Sequence, residues 1–571
     1  MVVWAALWIA VQRVYTFLRS LAPEQNVSRL LIASVVLGLL VGSVVSVLQW
    51  VVLQLLLSNV QDLPLWAAAL APMLGLGIAT LTLRTLGHGI TPSTADEYIR
   101  AFHQETPYLR GRDLFPRLMS GMATIGLGGA VGLEGPAIYT GSMGGLRLAR
   151  ALRSWLGADY AKVLLTAGAA AGISSLFQAP ATGVVFALEA PYRDDLAHRA
   201  LLPSLLASAS GYLAFVTIAF AERETVLPFA FDSGIGAAQL VGAVLLGVGA
   251  GFGGRVYAWC VRRAKAIAAS YPAANAVVIG GAVLALLAVV SDRVVDRPIT
   301  LGPGGSVVEW LLEGEHAVAV LLFVFVLRAV ATFVTVGAGG TGGFFIPLAI
   351  QGVLFGEVVG SGLESTGLGS ANESLWPVLG LAAFLGAGYR TPLAAVMFVA
   401  ESTGGGAVVP ALVAAAVSQL VAGPSSVSTG QLIERTGLVE GRANSPVANV
   451  LKPIPLSVPP DSTVYEFIHN LAIGQQVKTV PVLDGSRYLG LCTVAACSAV
   501  DREKWSETLV TEVMDADAPV GAPNWYVRDA MVAMQQGDYD MLAIIADDDV
   551  FVGVVSAEDI VRLEEIIEVT R

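Results

Sequence analysis

GLGGAVGLEGPAIYTGSMGG, from Gly126 to Gly145, combines many glycines with one isolated carboxylate, Glu134, in strongly apolar surroundings. Glycine lets backbone N–H groups approach a ligand closely, and Pro136 suits the first turn of a helix. The N-terminus of a helix presents unpaired N–H donors and a positive partial charge, which makes it an anion site. Glu134 is therefore predicted to occupy such a site as a tethered gate, until a proton or a competing ion removes it. The alternative is a loop carboxylate that faces water at a helix end.

The composition is that of a helical membrane protein with many spans. Of the 571 residues, 55% are hydrophobic and 14% are charged, and the mean hydropathy is +0.69. Apolar runs recur from Leu30–Leu57 to Val408–Val421, and several are too short or too interrupted by glycine to cross a bilayer as one helix of ~20 residues. Since irregular backbone at membrane depth is tolerated only where it is buried or lines a cavity, the interrupted segments indicate an ion path.

The charge is divided between two domains. Residues 451–571 carry 20 acidic and 8 basic side chains, whereas the whole chain carries 45 and 33, so the preceding part is neutral. We predict a membrane domain at 1–440 and a soluble module at 441–571. This pattern is unlike the basic footprint of a nucleic-acid-binding protein. The cysteines and histidines have neither disulfide nor metal-ligand spacing, so we expect no metal, no required cofactor and no enzymatic activity.

An internal repeat organises the membrane domain. GAAAGISSLFQAPATGVVFALEA at 168–190 resembles GLAAFLGAGYRTPLAAVMFVAES at 380–402, and each has a proline nine positions before a glutamate. A glycine-rich segment that ends in proline precedes each copy. Two halves that each hold a broken helix are typical of inverted-repeat transporters with a site at the midplane. The predicted fold class is therefore a polytopic α-helical membrane protein with inverted-repeat, broken-helix architecture, followed by an α/β module.

Four segments together resemble the signatures of a known family. GHGI (87–90), GLEGP (132–136), FQAPATGVVFALE (177–189) and GGFFIP (342–347) are similar to the motifs of the CLC family of chloride channels and chloride/proton antiporters. The resemblance implies a homodimer in the cell (inner) membrane, with one anion pathway per subunit where helix N-termini of both halves meet. Chloride and protons are the implied ions. Backbone dipoles and hydroxyls replace an anion's hydration shell without trapping the ion, as conduction requires.

The resemblance also implies roles for individual residues. Glu134 matches the family's gating glutamate. The backbone N–H groups of Leu133, Glu134 and Gly135 would line the outer anion site, and those of Phe344 and Phe345 would line the central site.

Two further anion contacts follow from the same resemblance. His88, next to Gly87, falls where many members have a serine that contacts the central anion. Thr429 falls near the position where a tyrosine usually closes the inner side of the site, and Ser428 is the alternative.

The chain departs from the family's antiporters in a way that bears on proton coupling. Those antiporters commonly carry an internal proton-accepting glutamate directly after the residue that matches Glu189, whereas this chain has Ala190 there. The usual tyrosine is absent as well. We therefore expect anion transport that is channel-like or weakly coupled to protons, with a fully coupled chloride/proton antiporter as the alternative. A divalent-cation transporter ranks far behind, because a cation path should be lined by acidic side chains.

The acidic tail contains a second repeat. Each copy has an extended segment, an amphipathic helix and two short β-runs joined by an acidic turn. The order resembles a pair of CBS domains (the cystathionine-β-synthase type), at about 447–506 and 507–571, which often bind adenine nucleotides. The resemblance implies ribose contacts from Ser556 and Asp559, while the first copy has Thr493 but Ala496 in the acidic position. The alternative is that Asp559 only favours the start of a helix.

The orientation of the chain follows from the tail. A soluble module without a secretion signal is expected to be cytoplasmic. Arg13, Arg19 and Arg29 flank the first membrane segment, which is consistent with a cytoplasmic N-terminus.

Overall fold

The computed structural model describes residues 25–104, 106–156, 160–219, 236–364, 374–403, 405–433, 446–452, 456–537, 539–546 and 550–560. The chain divides into two compact units, residues 1–434 and residues 435–571. Arg13 and Arg19, which support the predicted orientation of the N-terminus, lie outside the described residues. So does the predicted domain boundary at residue 440.

Helices make up the described part of the first unit. In chain order they are α1 Gln25–Gln49, α2 Leu65–Thr85, α3 Ala95–His103, α4 Leu114–Gly126, α5 Glu134–Ala151, α6 Ala161–Phe177, α7 Pro180–Glu189, α8 Leu201–Ala219, α9 Ala237–Ser270, α10 Ala273–Val295, α11 Gly305–Leu311, α12 Val318–Gly337, α13 Phe345–Glu364, α14 Leu375–Tyr389, α15 Pro392–Thr403 and α16 Val408–Ala422. Helix α1 continues through a π-helical segment, Trp50–Leu57, and a further turn, Ser58–Gln61. The helical turn Arg153–Leu156 follows α5.

Seven helices within the described ranges are long and apolar enough to cross a membrane. Their outer faces carry large apolar side chains that remain exposed, such as Leu40 (58%), Trp66 (71%) and Leu286 (61%). An apolar exterior of this kind is stable against lipid but not against water. The helices α6, α7, α14, α15 and α16 are apolar but shorter, and α6 and α14 are almost wholly buried. Helices α6 and α14 therefore lie in the interior of the unit, whereas α16 exposes large apolar side chains such as Leu412 and Leu420.

The two halves are built alike. A Cβ on Gly141 of α5 would lie 2.0 Å from the carbonyl oxygen of Gly168 on α6, and one on Gly352 of α13 would lie 2.4 Å from that of Gly380 on α14. Glycine at these crossings lets the two backbones touch, as small residues do in membrane helix pairs. Each crossing lies at the same position in its repeat, so both halves use one packing solution.

The broken helices show that the repeats are inverted. Helix α6 ends at Gln178 (φ 53°) and α14 ends at Arg390 (φ 62°), both left-handed, and a proline starts the next helix in each case. Glu189, at the end of α7, accepts hydrogen bonds of 3.1 and 2.9 Å from two amides in the first turn of α15. In return Glu401, near the end of α15, accepts bonds of 2.8 and 2.7 Å from amides in the first turn of α7. The two helices are therefore antiparallel, and each supplies the N-terminal cap of the other.

The second unit is α/β and contains two similar halves. The first half has a helix that begins at Val464–Glu466 and continues through the π-helical Phe467–Ile473, the strands β1 Thr479–Asp484 and β2 Arg487–Thr493, and the helix α17 Val494–Ser498. The second half has β3 Val520–Gly521, α18 Val527–Gly537, β4 Met541–Ile545 and β5 Phe551–Ser556. Strands β1 and β2 are antiparallel, β3 is parallel to β4, and β4 is antiparallel to β5.

Each half of the second unit has its own apolar core. Val464, Phe467 and Val482 are among the residues at the centre of the first core, and Val527 and Leu542 belong to the second. Val458 pairs in parallel with Val482 ahead of the first helix, as β3 pairs with β4 in the second half, so both halves have the order of extended segment, helix and two strands that the tail repeat predicted.

Candidate anion site

Two loops hold the start of α5 against the start of α13. The Gly132 N–H donates to the Gly343 carbonyl at 3.0 Å, and the Gly343 N–H donates to the Gly132 carbonyl at 2.7 Å. This two-way bridge lies directly before both helices, so their N-termini face the same small volume. Positive partial charge from two helix ends therefore converges at one place.

The side chain of Glu134 fills that volume. It is fully buried, and its Oε1 accepts a hydrogen bond of 2.5 Å from the backbone N–H of Phe345, the first residue of α13. Its Oε2 has no hydrogen-bond partner among the described residues. The carboxylate thus belongs to α5 and is bound by α13, which is the arrangement of an anion at a helix N-terminus.

Glycine is required on both sides of the carboxylate. A Cβ on Gly132 would lie 1.9 Å from Oε2 of Glu134, and a Cβ on Gly343 would lie 2.4 Å from Oε1. A side chain at either position would displace the carboxylate from the site. The glycines of the two motifs therefore create the space in which an anionic group is held.

The other predicted amide donors lie around the same site. Leu133 is buried directly before α5. Gly135 packs so tightly that a Cβ there would lie 2.2 Å from Oγ1 of Thr94. Thr94 is buried, and its hydroxyl has no hydrogen-bond partner in the described part of the chain. Sequence reasoning missed this residue, because a threonine before α3 carries no motif of its own.

A lysine also lies close to the site. The Nζ of Lys265, on α9, lies 5.1 Å from the ring centroid of Phe344 and 2.6 Å from Oδ2 of Asp96. It also donates to the Val427 carbonyl at 3.0 Å. The carboxylate of Asp96 offsets the charge of Lys265, so this lysine adds little net positive charge to the site. The motifs gave no indication of this ion pair, whose members lie 169 positions apart.

Two residues that were predicted to contact the anion, His88 and Thr429, are exposed, whereas Glu134 is buried. His88 follows the buried Gly87 at the end of α2 and is itself exposed, with φ 52°. Thr429 is exposed too, and its backbone N–H donates to Oδ1 of Asp96 at 3.0 Å. Ser428, the alternative to Thr429, is instead buried, and its hydroxyl has no partner within the described residues. Anion contact by His88 or Thr429 stays a prediction.

Ala190, which stands where the family's antiporters have an internal glutamate, is buried. Ala190 is 2% exposed, and its carbonyl accepts a hydrogen bond of 3.0 Å from Nε2 of Gln431. The neighbouring carboxylate of Glu189 is engaged by the amides of α15.

In the tail, the predicted nucleotide contacts act as helix caps. Thr493 Oγ1 accepts from the N–H of Ala496 at 3.1 Å, and Ser556 Oγ accepts from the N–H of Asp559 at 3.2 Å. Ser556 Oγ also donates to Oδ2 of Asp559 at 2.6 Å, while the Lys452 Nζ lies 2.5 Å from its Oδ1. Burial acts to raise the pKa of Asp559, but the bonds from Lys452 and Ser556 outweigh it and hold that pKa below its usual value.

The membrane unit and the tail both match known families. The sequence model of the voltage-gated chloride channel family matches residues 75–423, and that of the CBS domain matches residues 510–565. A relative described as ClcB-like, from Ralstonia nicotianae, is 29% identical over 355 residues, which are 61% of this chain and 80% of the relative. The H(+)/Cl(-) exchange transporter ClcA of Salmonella typhi is 27% identical over 318 residues, and the match covers 53% of this chain and 64% of that protein, less than two thirds of its length.

A solved structure shares the fold. The crystal structure of a slow cyanobacterial Cl-/H+ antiporter superposes with a TM-score of 0.61 at 20% identity, covering 70% of this chain and 95% of that one. The resemblance drawn from the four membrane motifs is thus confirmed. Because the family's sequence model matches more than half of the chain, the protein belongs to the voltage-gated chloride channel (CLC) family, with a CBS domain in its second unit.

Proposed function

We propose that the protein moves chloride across the cell membrane, with Glu134 as a gate that competes with the anion. The observation that carries this proposal is the buried carboxylate of Glu134, held by the Phe345 amide between two helix N-termini. A group with one negative charge already occupies the site, so an anion that displaces it meets the same donors. Because the donors are amides, binding is favourable but releasable, as transport requires.

The same donors argue against the divalent-cation alternative. Ca²⁺ takes about six to eight oxygen ligands, and Mg²⁺ about six. The groups that converge on Glu134 are N–H donors at helix ends, which repel a cation. Flux assays in proteoliposomes separate the two functions: we expect efflux of chloride and no uptake of magnesium, and the opposite result would overturn the proposal.

Coupling to protons is proposed to be absent or weak. At the position of the internal glutamate the chain offers Ala190, which cannot carry a proton, and the adjacent Glu189 is engaged by the amides of α15. The alternative is a fully coupled antiporter, which the names of the Salmonella and cyanobacterial relatives favour. The reversal potential under a proton gradient decides between them. A channel-like protein follows the chloride gradient alone, whereas a fixed chloride-to-proton ratio would establish the antiporter.

The assembly and orientation are proposed from the family. We expect a homodimer with one pathway per subunit in the inner membrane, and a cytoplasmic tail. Cross-linking in native membranes and protease access to the tail in inside-out vesicles test the two points separately.

The tail is proposed to bind an adenine nucleotide at Ser556 and Asp559. Both residues lie at the end of β5, where the CBS resemblance places the ribose contacts. Lys452 and Ser556 already engage the carboxylate of Asp559, so a ribose would have to displace the lysine. Calorimetry of the full chain with ATP tests the proposal: measurable binding that Asp559→Ala weakens supports it, and no heat of binding would reject it.

A further inference from the structure

A buried tyrosine that the motif comparison did not identify lies near the start of α13. Tyr389 is the last residue of α14 and is 1% exposed. Its hydroxyl has no hydrogen-bond partner among the described residues. Burying a phenol without a partner is unfavourable, and a tyrosine in such a place usually finds one. An unpaired hydroxyl at this depth therefore points to a ligand that completes it.

The ring of Tyr389 is part of the cluster that lines the start of α13. It meets the ring of Phe186 edge-on at 5.2 Å between centroids, and Phe186 meets the ring of Phe345 edge-on at 5.5 Å. Phe345 is the residue whose N–H binds the Glu134 carboxylate. The charges of Glu134 and Asp96 also act on Tyr389. The ring of Tyr389 is thus separated by one side chain, Phe186, from the residue that supplies the amide donor.

The segment that would carry the family's tyrosine packs against Tyr389. Ser426 Oγ donates to the Tyr389 carbonyl at 3.1 Å, and the Ser428 N–H donates to Ser426 Oγ at 3.1 Å. Ser428 lies next to the Tyr389 hydroxyl, and its own hydroxyl is buried and unpaired. The two hydroxyls can hydrogen-bond to each other, and such a pair still leaves one O–H donor without an acceptor.

We propose that the Tyr389 hydroxyl, together with that of Ser428, donates hydrogen bonds to the transported anion at the inner end of the site. Residues 428–429 lack the tyrosine that the family usually has there, and Tyr389 at the end of α14 takes its place. The two positions are close in space, because Ser426 hydrogen-bonds to Tyr389. The proposal rests on the proposed anion transport and adds the side-chain donors of the site. It also gives the pathway an inner closure that the sequence comparison had assigned to Thr429.

A second buried tyrosine lies outside this cluster of rings. The hydroxyl of Tyr257, on α9, also lacks a partner in the described part of the chain. Its ring packs on Phe333 and Phe384 instead, outside the cluster of Phe186 and Phe345. The charge of Glu134 acts on Tyr257 as well, but the Tyr257 hydroxyl lies beside Thr332 and not beside Ser428, so Tyr257 is the control for a buried hydroxyl on another helix.

The test is chloride binding to the full-length protein by isothermal titration, followed by flux in proteoliposomes. Tyr389→Phe keeps the ring and removes only the hydroxyl, and a hydrogen bond to a charged group is strong enough that its loss should weaken chloride binding about tenfold. Ser428→Ala should act in the same direction. Tyr389→Phe should also lower the ratio of chloride flux to thiocyanate flux, because the smaller, more strongly hydrated anion depends more on the lost donor.

Two phenylalanine controls accompany this variant. Tyr257→Phe should leave chloride affinity unchanged. Tyr98→Phe should do the same, because the Tyr98 hydroxyl already donates to the Ala187 carbonyl at 2.6 Å and serves the fold. Wild-type affinity and selectivity in Tyr389→Phe would overturn the inference, as would an equal loss in Tyr257→Phe. A wild-type protein that neither binds nor transports chloride would instead reject the proposed function itself.

Discussion

Replacing Glu134 with glutamine tests the competition between carboxylate and anion. The substitution keeps the shape of the side chain and its bond to the Phe345 amide, but it removes the negative charge. A hydrogen bond to a charged group contributes about 1 kcal/mol more than a neutral one. Each of the two helix N-termini adds about 0.3–1 kcal/mol for a negative charge. The neutral side chain is thus about 2 kcal/mol easier to displace, and chloride affinity should rise about 30-fold.

Calorimetric titration of the full-length protein with chloride measures this change. In the wild type, affinity should also increase as the pH falls, because protonation removes the charge of the rival group. In Glu134→Gln the affinity should be high and independent of pH. Glu401→Gln is the matched control, since its carboxylate caps α7 and its loss should leave chloride affinity unchanged. Equal affinity and equal pH dependence in the wild type and Glu134→Gln would refute the gating role.

Three further predictions concern stability and the tail. Glu401→Ala removes the cap of α7 and should lower the free energy of unfolding by about 1–2 kcal/mol, with a smaller loss for Glu401→Gln. If Glu401→Ala melted at the same temperature as the wild type, the reciprocal capping would be contradicted. Gly168→Ala should destabilise the fold by about 1–3 kcal/mol, because its Cβ would lie 2.0 Å from the Gly141 carbonyl oxygen. Gly144→Ala should be tolerated, because the nearest neighbours of its Cβ would lie at 3.5 Å. Equal melting temperatures in the two variants would argue against the close crossing of α5 and α6. The pKa of Asp559 is depressed in the folded state, so its contribution to stability is present above the usual carboxyl pKa and is lost as the pH falls through the folded value. Lys452→Met removes the ion pair, so it should reduce this loss of stability in acid and strengthen ATP binding. An unchanged acid transition in Lys452→Met would show that the ion pair does not contribute.

The motifs predicted the donors of the site better than its side chains. GLEGP and GGFFIP place glycine and an amide at helix starts, and these are the segments that meet at Glu134. Thr94, Lys265 and Tyr389 could not be found in the same way, because each becomes part of the site only when distant helices pack together. For Tyr389 one signal was available: it is a tyrosine in the GAGYRTP segment, directly before the break between α14 and α15.

The sequence by itself determined the class of this protein, since an apolar composition, a neutral membrane part and an acidic tail leave few other folds open. It also determined the repeat and the glycine-rich helix starts, because proline and glycine act on the backbone locally. Only the tertiary structure decided that the repeats are inverted, since the direction of α7 against α15 is visible only in the reciprocal bonds of Glu189 and Glu401. It alone decided which hydroxyls are buried without a partner, because this depends on side chains that lie far apart in the chain.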